Sequence, residues 1–278
     1  MKLAIRCHDL QENDESVISD LLENLEIDGV QLVLYKTFQD IAYLNGQLDE
    51  KKAQKIKHFF DNVSKKIFLL GAYFNPVHSN IDKVKLGIQV FKEHLEFGNL
   101  IGCNIVGSET GSYNDDKWTY NPKNRTDEAL KIVVKTFEEL CDYASKNNAF
   151  VAIEGAFGHV CYDVKTLKRA VDMIDRKNLK IIFDIYNYLD ISNHNDYEDI
   201  LKDGLKTFDN IHCFHLKDYI VKDGKLKQVP LGNGIMNYPK ILKLIKDYDK
   251  DAVLVLEGTT GQNIEPAVKL VRKLWGKS

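Results

Sequence analysis

Ile211-His-Cys-Phe-His-Leu-Lys-Asp218 is a short β-prone run that ends in polar side chains. Side chains on a strand alternate between its two faces, so we expect His215 and Lys217 on one face and His212 on the other. Three further runs of this kind end in an acid: Phe150 to Glu154, Lys180 to Asp184 and Ala252 to Glu257. Four predicted strands therefore deliver two glutamates, an aspartate and a histidine at equivalent ends.

These runs belong to a pattern that repeats along the whole chain. Segments rich in Val, Ile and Leu alternate with amphipathic helical segments, which makes eight β/α units. We predict the strands at 3–7, 29–35, 66–71, 99–107, 149–154, 179–184, 211–216 and 252–257. The predicted helices are 15–25, 49–65, 81–97, 126–146, 164–176, 197–207, 238–247 and 264–275.

Eight such units require parallel strands and right-handed crossovers, and they fit a closed barrel of about 250 residues. We therefore predict an α/β fold, a single (β/α)8 TIM barrel that forms one domain over residues 1–278. A doubly wound open sheet is the alternative. Three long polar loops, 73–80, 108–125 and 217–237, follow strands and are expected on the C-terminal face of the barrel, where such enzymes keep their chemistry.

The overall composition limits the classes of partner and location. The 38 basic and 41 acidic residues give a net charge of −3, which does not suggest a nucleic-acid partner. No run approaches the ~18 apolar residues of a membrane span, and Arg6 interrupts what would have to be a signal core, so we predict a cytoplasmic protein. The five cysteines form no CxxC pair, which argues against a disulfide framework or a zinc ribbon.

The four strand-end residues are suited to binding a divalent metal ion. Glu154, Asp184, His215 and Glu257 offer three carboxylates and one imidazole, and they are spaced by single β/α units. Each acid alone is more simply explained by a hydrogen bond to nearby backbone amides. The occurrence of all four at equivalent strand ends favours a metal site at the barrel mouth.

These strand ends, together with Pro230-Leu-Gly232-Asn-Gly234, resemble the xylose isomerase-like barrel superfamily. Its members include ketose 3-epimerases, hydroxypyruvate isomerase, inosose dehydratase and endonuclease IV. The resemblance covers essentially the whole chain and implies that Glu154, Asp184, His215 and Glu257 bind one divalent ion, manganese first, with magnesium, cobalt or zinc as alternatives. It further implies that Glu154 and Glu257 are the catalytic groups that move the proton.

The sequence departs from its relatives at two positions near the predicted ligands. Many relatives carry a histidine three residues after the strand-six aspartate, where this chain has Asn187. Ketose epimerases commonly have an arginine after the strand-seven histidine, where this chain has Lys217, a point charge without bidentate geometry. We expect both residues to contact substrate. Other candidates for contact with sugar hydroxyls lie at or just beyond strand ends: His8, Tyr73, Asn75, Glu109 and His159.

The predicted function is a metal-dependent isomerase or epimerase that acts through an enediolate on a small sugar or sugar derivative. An inosose-type dehydratase would use the same site. An endonuclease IV-like nuclease is disfavoured because Leu226-Lys-Gln228-Val-Pro-Leu-Gly232 lacks the Asp-x-His of those enzymes. A non-catalytic sugar-binding barrel is the remaining alternative, and the sequence leaves a homo-oligomer open. Tyr113, Trp118 and Tyr120 either close over a sugar ring or only pack within their loop.

Overall fold

The computed structural model describes residues 1–277. Eight parallel strands form a closed barrel in the order β1-β10-β7-β6-β5-β4-β3-β2, which confirms the predicted (β/α)8 fold. The strands are β1 Lys2–Arg6, β2 Gly29–Leu32, β3 Lys66–Gly71, β4 Ile105–Glu109, β5 Phe150–Glu154, β6 Leu179–Asp184, β7 Ile211–Leu216, β8 Asp218–Lys222, β9 Lys225–Val229 and β10 Val253–Leu256. Strands β8 and β9 lie outside the barrel as a hairpin.

Helices cover the outside of the barrel. They are α1 Glu15–Asn24, α2 Leu34–Thr37, α3 Glu50–Asn62, α4 Ile81–Leu100, α5 Asp127–Lys146, α6 Val164–Ile174, α7 Tyr197–Thr207, α8 Tyr238–Tyr248 and α9 Ile264–Lys277. Helix α5 illustrates why these segments are helical. The Thr126 side chain accepts a hydrogen bond from the Ala129 amide and caps the first turn. Its buried Val133, Phe137 and Leu140 recur at helical spacing and pack on the barrel. None of the helices described is both long and apolar enough to cross a bilayer.

The direction of the His212 side chain, at the start of β7, differs from the prediction. His212 Nε2 lies 2.7 Å from the carbonyl oxygen of Phe68, although β7 and β3 are opposite strands of the barrel. A bulge leaves His212 unpaired between Ile211 and Cys213, and a second bulge in the β2–β3 pairing leaves Phe68 unpaired. The prediction that His212 faces away from the interior was therefore wrong, because a bulge breaks the strict alternation of side chains.

Two predicted strand boundaries were also wrong. The fourth strand was predicted at 99–107 but runs over Ile105–Glu109, because α4 continues through the apolar Leu100 and ends before Gly102, whose φ is +80°. Glycine adopts this left-handed conformation at little cost and allows the chain to turn back to the barrel. The second strand ends at Leu32 instead of Tyr35, since residues 34–37 form the short helix α2.

The segment 217–237, predicted as a polar loop, contains the antiparallel hairpin β8–β9. Its two-residue turn is Asp223-Gly224, with φ of +53° and +69°, which is the backbone that a tight hairpin turn requires. Beyond β9, the chain wraps around Asp218, a fully buried acid whose carboxylate accepts hydrogen bonds from the amides of Tyr219, Gly232, Gly234 and Met236. The Pro230–Gly234 motif thus encloses a carboxylate of its own chain.

We predict that Asp218→Ala destabilises the protein by about 3 kcal/mol, because it leaves several buried amides without an acceptor. Asp218→Asn retains one acceptor oxygen and should cost less. Urea unfolding monitored by circular dichroism measures both. An Asp218→Ala variant as stable as the wild type would show that water satisfies these amides equally well.

Candidate active site

Four side chains converge at the mouth of the barrel, where β5, β6, β7 and β10 end. One ligand atom from each of Glu154, Asp184, His215 and Glu257 can be chosen so that all four lie within 4.8 Å of one another. All four residues are buried. The His215 Nδ1 atom is 2.8 Å from Glu257 Oε2, 3.3 Å from Glu154 Oε1 and 3.8 Å from Asp184 Oδ2. The structure thus brings together the four residues predicted from separate strand ends.

This cluster contains buried polar atoms without hydrogen bonds. Both ring nitrogens of His215 and the Oδ2 atom of Asp184 have no hydrogen-bond partner among residues 1–277. The atoms around them are close, but their angles do not suit hydrogen bonds. The Asp184 oxygen is still paired electrostatically with Lys217, 2.9 Å away. A buried imidazole normally makes a hydrogen bond, so a histidine without one among three carboxylates is suited to binding a metal ion. Carboxylate oxygens and an imidazole nitrogen are a suitable donor set for manganese, magnesium, cobalt or zinc.

Two cations balance the charge on Glu257. Lys217 Nζ lies 2.8 Å and Arg6 Nη1 2.6 Å from Glu257 Oε1, while His215 contacts the other oxygen. Burial by itself would raise the pKa of the Glu257 carboxyl, but the positive charges of Lys217, His215 and Arg6 bring this pKa well below its usual value. Glu257 is therefore held as a carboxylate whose Oε1 atom contacts both cations.

Glu154 has a different environment, although it is the same residue type in the same cluster. Burial raises the pKa of the Glu154 carboxyl to about 7, and the charges of Glu109 and Glu257 add to this effect while His215 opposes it. Asn187 Nδ2 donates to Glu154 Oε1 at 2.8 Å, and within residues 1–277 the Oε2 atom has no hydrogen-bond partner. In the absence of a metal ion, the Glu154 carboxyl is therefore protonated more easily than an ordinary glutamate.

Lys217 connects the metal-ligand cluster to Asn187. Its ammonium lies 2.9 Å from Asp184 Oδ2 and donates to Asn187 Oδ1 at 2.8 Å. This bond orients the Asn187 amide so that its nitrogen faces Glu154. The two positions at which the sequence departs from its relatives thus form one chain of contacts, Lys217 to Asn187 to Glu154, around the candidate ligands.

A second group of site residues was missed by the sequence analysis. Arg6 ends β1 at the same level as the ligands, and its Nε and Nη2 atoms donate to both carboxylate oxygens of Asp9 at 2.9 Å. Asp9 also accepts from the Gly258 amide at 2.7 Å, directly after Glu257. The position of Arg6 at the end of a predicted strand was the available signal, but the residue was interpreted only as evidence against a signal peptide.

The cluster opens onto a cavity of about 300 Å³, called here the inner cavity. Tyr73 and Glu109, both predicted to contact substrate, line it together with Tyr35, Lys36 and Trp118. Lys217 and Asn187, also predicted to contact substrate, adjoin the ligand cluster but do not line this cavity. His8 and His159 do not line it either: His8 is half-buried, and burial lowers the pKa of its imidazole to about 4, whereas His159 is buried against the Trp118 ring at 5.5 Å. Asn75 joins its loop to the loop 108–125, since its amide donates to the carbonyls of Ser112 and Asp115.

Comparison with known proteins agrees with this architecture. A D-tagatose 3-epimerase-like protein is 18% identical with a TM-score of 0.78, and the match covers 100% of this chain and 98% of that one. The IOLI protein with a zinc atom is 18% identical with a TM-score of 0.75, and the match covers 100% of this chain and 99% of that one. A probable 3-DHS dehydratase, AsbF, from Bacillus anthracis is 16% identical with a TM-score of 0.75, and the match covers 99% of each chain. No curated protein matches by sequence. A model of one protein family matches residues 19–274, nearly the whole chain, and on this match the protein belongs to the xylose isomerase-like TIM barrel family.

Proposed function

We propose that this protein is a metal-dependent isomerase or epimerase that acts through an enediolate on a small sugar or sugar derivative. The observation that carries the proposal is the set of four buried ligand side chains around His215, whose ring nitrogens make no hydrogen bond within residues 1–277, beside a polar cavity. Similar solved structures include a D-tagatose 3-epimerase-like protein and a 3-keto-D-glucoside 4-epimerase, which supports the same chemistry. The cytoplasmic location and the homo-oligomer stay predictions.

In this proposal Glu154, Asp184, His215 and Glu257 hold one divalent ion, with manganese as the first candidate. When bound, the ion supplies Lewis-acid stabilisation for the negative charge that enolisation places on the substrate oxygens. Lys217 adds a fixed positive charge at the same place, and it is already positioned by Asp184, Glu257 and Asn187. Tyr73 and Glu109, which line the inner cavity, and Asn187 beside Glu154 are proposed to position the sugar. His8 and His159 lie outside this cavity and are not part of the proposal.

Glu154 is the better placed of the two proposed proton-transfer groups. Its Oε2 atom is free of hydrogen bonds from residues 1–277, so it can remove the proton from the carbon next to the carbonyl if that carbon lies within ~3 to 3.5 Å. Glu154 can return the proton afterwards, because proton transfer to and from a positioned carboxylate is reversible.

Glu257 is proposed to act on the opposite face of the intermediate. Its strand β10 lies three positions from β5 around the barrel, so the two carboxylates approach the cavity from different walls. Lys217 and Arg6 both contact Oε1, so Oε2, which receives no hydrogen bond from His215, is the oxygen proposed to exchange a proton with the substrate. The role of Glu257 therefore distinguishes an epimerase with two bases from an isomerase with one.

We predict that metal ions stabilise the wild type and that Asp184→Ala abolishes this effect. A ligand that binds only the native state at 100 times its Kd contributes about 2.7 kcal/mol. Unfolding with and without MnCl2, together with elemental analysis, measures the loss. Asp251→Ala, an exposed acid elsewhere, is the matched control. Unchanged metal content in Asp184→Ala would remove this residue from the ligand set.

We predict that Lys217→Met keeps its metal but loses about 10²- to 10³-fold in kcat/KM, because the charge that stabilises the enediolate is gone. Its effect is compared with that of Lys222→Met, an exposed lysine in the hairpin. Loss of metal from Lys217→Met would instead assign the ammonium to support of the ligands.

We predict that Glu154→Gln and Glu257→Gln each bind metal and sugar but fail to interconvert epimers, with losses of at least about 10²-fold. Glutamine keeps an oxygen ligand and a similar shape while removing the base. Incubation of metal-loaded protein with a panel of ketoses in deuterated water reports proton exchange, and product analysis separates isomerisation from dehydration. Full activity of Glu257→Gln would reduce the mechanism to one base, and an unsaturated product would favour the dehydratase.

A further inference from the structure

A second cavity of about 290 Å³, called here the outer cavity, lies beside the inner one. The two cavities share two residues, Tyr73 and Trp118. The outer cavity is otherwise walled by residues that take no part in the metal site, including Tyr43, Phe74, Leu86 and Asp116. The outer cavity is thus adjacent to the metal site but is formed, apart from the two shared residues, by different side chains.

An aromatic wall continues from one cavity into the other. Tyr35 lines the inner cavity and Tyr43 lines the outer one, and their rings meet edge to face with centroids 5.0 Å apart. Tyr73 and Trp118 add two rings common to both spaces. A ligand that extends from the metal site into the outer cavity would therefore remain against aromatic surfaces throughout.

The backbone holds Trp118 in a conformation that is unusual for a large side chain. Its φ is +52°, in the left-handed region. The loop around it is tied together, since Asn114 Nδ2 donates to Thr119 Oγ1 at 2.9 Å and Asn75 binds the carbonyls of Ser112 and Asp115. Strained residues that are fixed in this way concentrate at ligand sites. Trp118 is half-buried and keeps part of its surface open to the cavities.

The outer cavity also offers polar groups. The hydroxyl of Tyr43 is buried and has no hydrogen-bond partner among residues 1–277. The exposed carboxylate of Asp116 lies at the rim, where it pairs with Lys83 at 2.7 Å and His78 at 3.2 Å. Aromatic surfaces that bear a few hydroxyl and carboxylate groups suit a sugar ring, which has apolar C–H faces and a polar edge.

We propose that the outer cavity is a subsite for a second sugar ring, so that the substrate is a disaccharide or glycoside whose carbonyl-bearing ring lies at the metal site. This inference rests on the proposed function and narrows its substrate class. Tyr43, Leu86 and Trp118 contact the second ring. Leu86 lines the outer cavity but not the inner one, and it is half-buried on α4, so a larger side chain at this position fills the subsite without touching the catalytic groups.

The test is a calorimetric binding series on the metal-loaded protein with D-fructose and four glucosyl-fructoses, turanose, maltulose, leucrose and isomaltulose, which differ only in linkage. We expect at least one disaccharide to bind about tenfold or more tightly than fructose. Leu86→Trp should remove this advantage and leave fructose binding unchanged. Leu86→Met, which keeps the volume, is the matched control, and Tyr43→Phe should lose part of the advantage through its hydroxyl alone.

The proposal is overturned if no disaccharide binds more tightly than fructose, or if Leu86→Trp leaves the advantage in place or weakens both sugars equally. Circular dichroism and thermal unfolding confirm that each variant is folded, and Tyr43→Phe provides an independent reading if Leu86→Trp is not. Failure of the proposed function can be distinguished from failure of the subsite proposal. Tight disaccharide binding without deuterium exchange would refute the enolisation and retain the subsite, whereas exchange on fructose without a disaccharide advantage would retain the enolisation and refute the subsite.

Discussion

The repulsion among three buried carboxylates is the constraint on which the site depends. Glu154, Asp184 and Glu257 converge within 4.8 Å in a place with little water, where like charges interact strongly. The chain supplies two compensating cations, Lys217 and Arg6, and both contact Glu257. Asp9 partly neutralises Arg6, because it forms an ion pair with two hydrogen bonds to the guanidinium. With His215 neutral, as a metal-binding imidazole is, the protein's own charges therefore leave the cluster negative, which is the electrostatic condition for holding a divalent cation.

The segments around the barrel mouth position Glu257 from several sides. Its side chain is held from β1 by Arg6, and the Gly258 amide is held by Asp9. Its backbone carbonyl accepts from Gln228 Nε2 on the hairpin strand β9 at 3.1 Å. The hairpin is fixed in turn by Asp218, which starts β8 one residue after Lys217. The hairpin, which was predicted as part of a polar loop on the C-terminal face, thus forms part of the structure that positions a metal ligand.

The eight-unit pattern and the four ligands could be predicted from the sequence because both follow from short-range rules. A strand that ends in Glu154 or Asp184 is visible in a few residues, and closure of the barrel brings such ends together. Arg6 and Asp9 were missed because their role depends on the β1–β10 pairing, which joins residues about 250 positions apart. The bulge at His212 was missed because register is set by neighbouring strands and not by the run itself.

The two glutamates show that equivalent positions in a symmetric fold need not have equivalent chemistry. Glu257 ends β10 beside two cations, and its pKa lies well below the usual value, whereas Glu154 ends β5 among other acids and has a pKa near 7. A positive ion placed among the four ligands would favour the ionised form of Glu154, because opposite charge stabilises a carboxylate. The charge balance that attracts the ion would thereby also produce the free carboxylate that proton removal needs, so metal binding and generation of the base follow from one electrostatic arrangement.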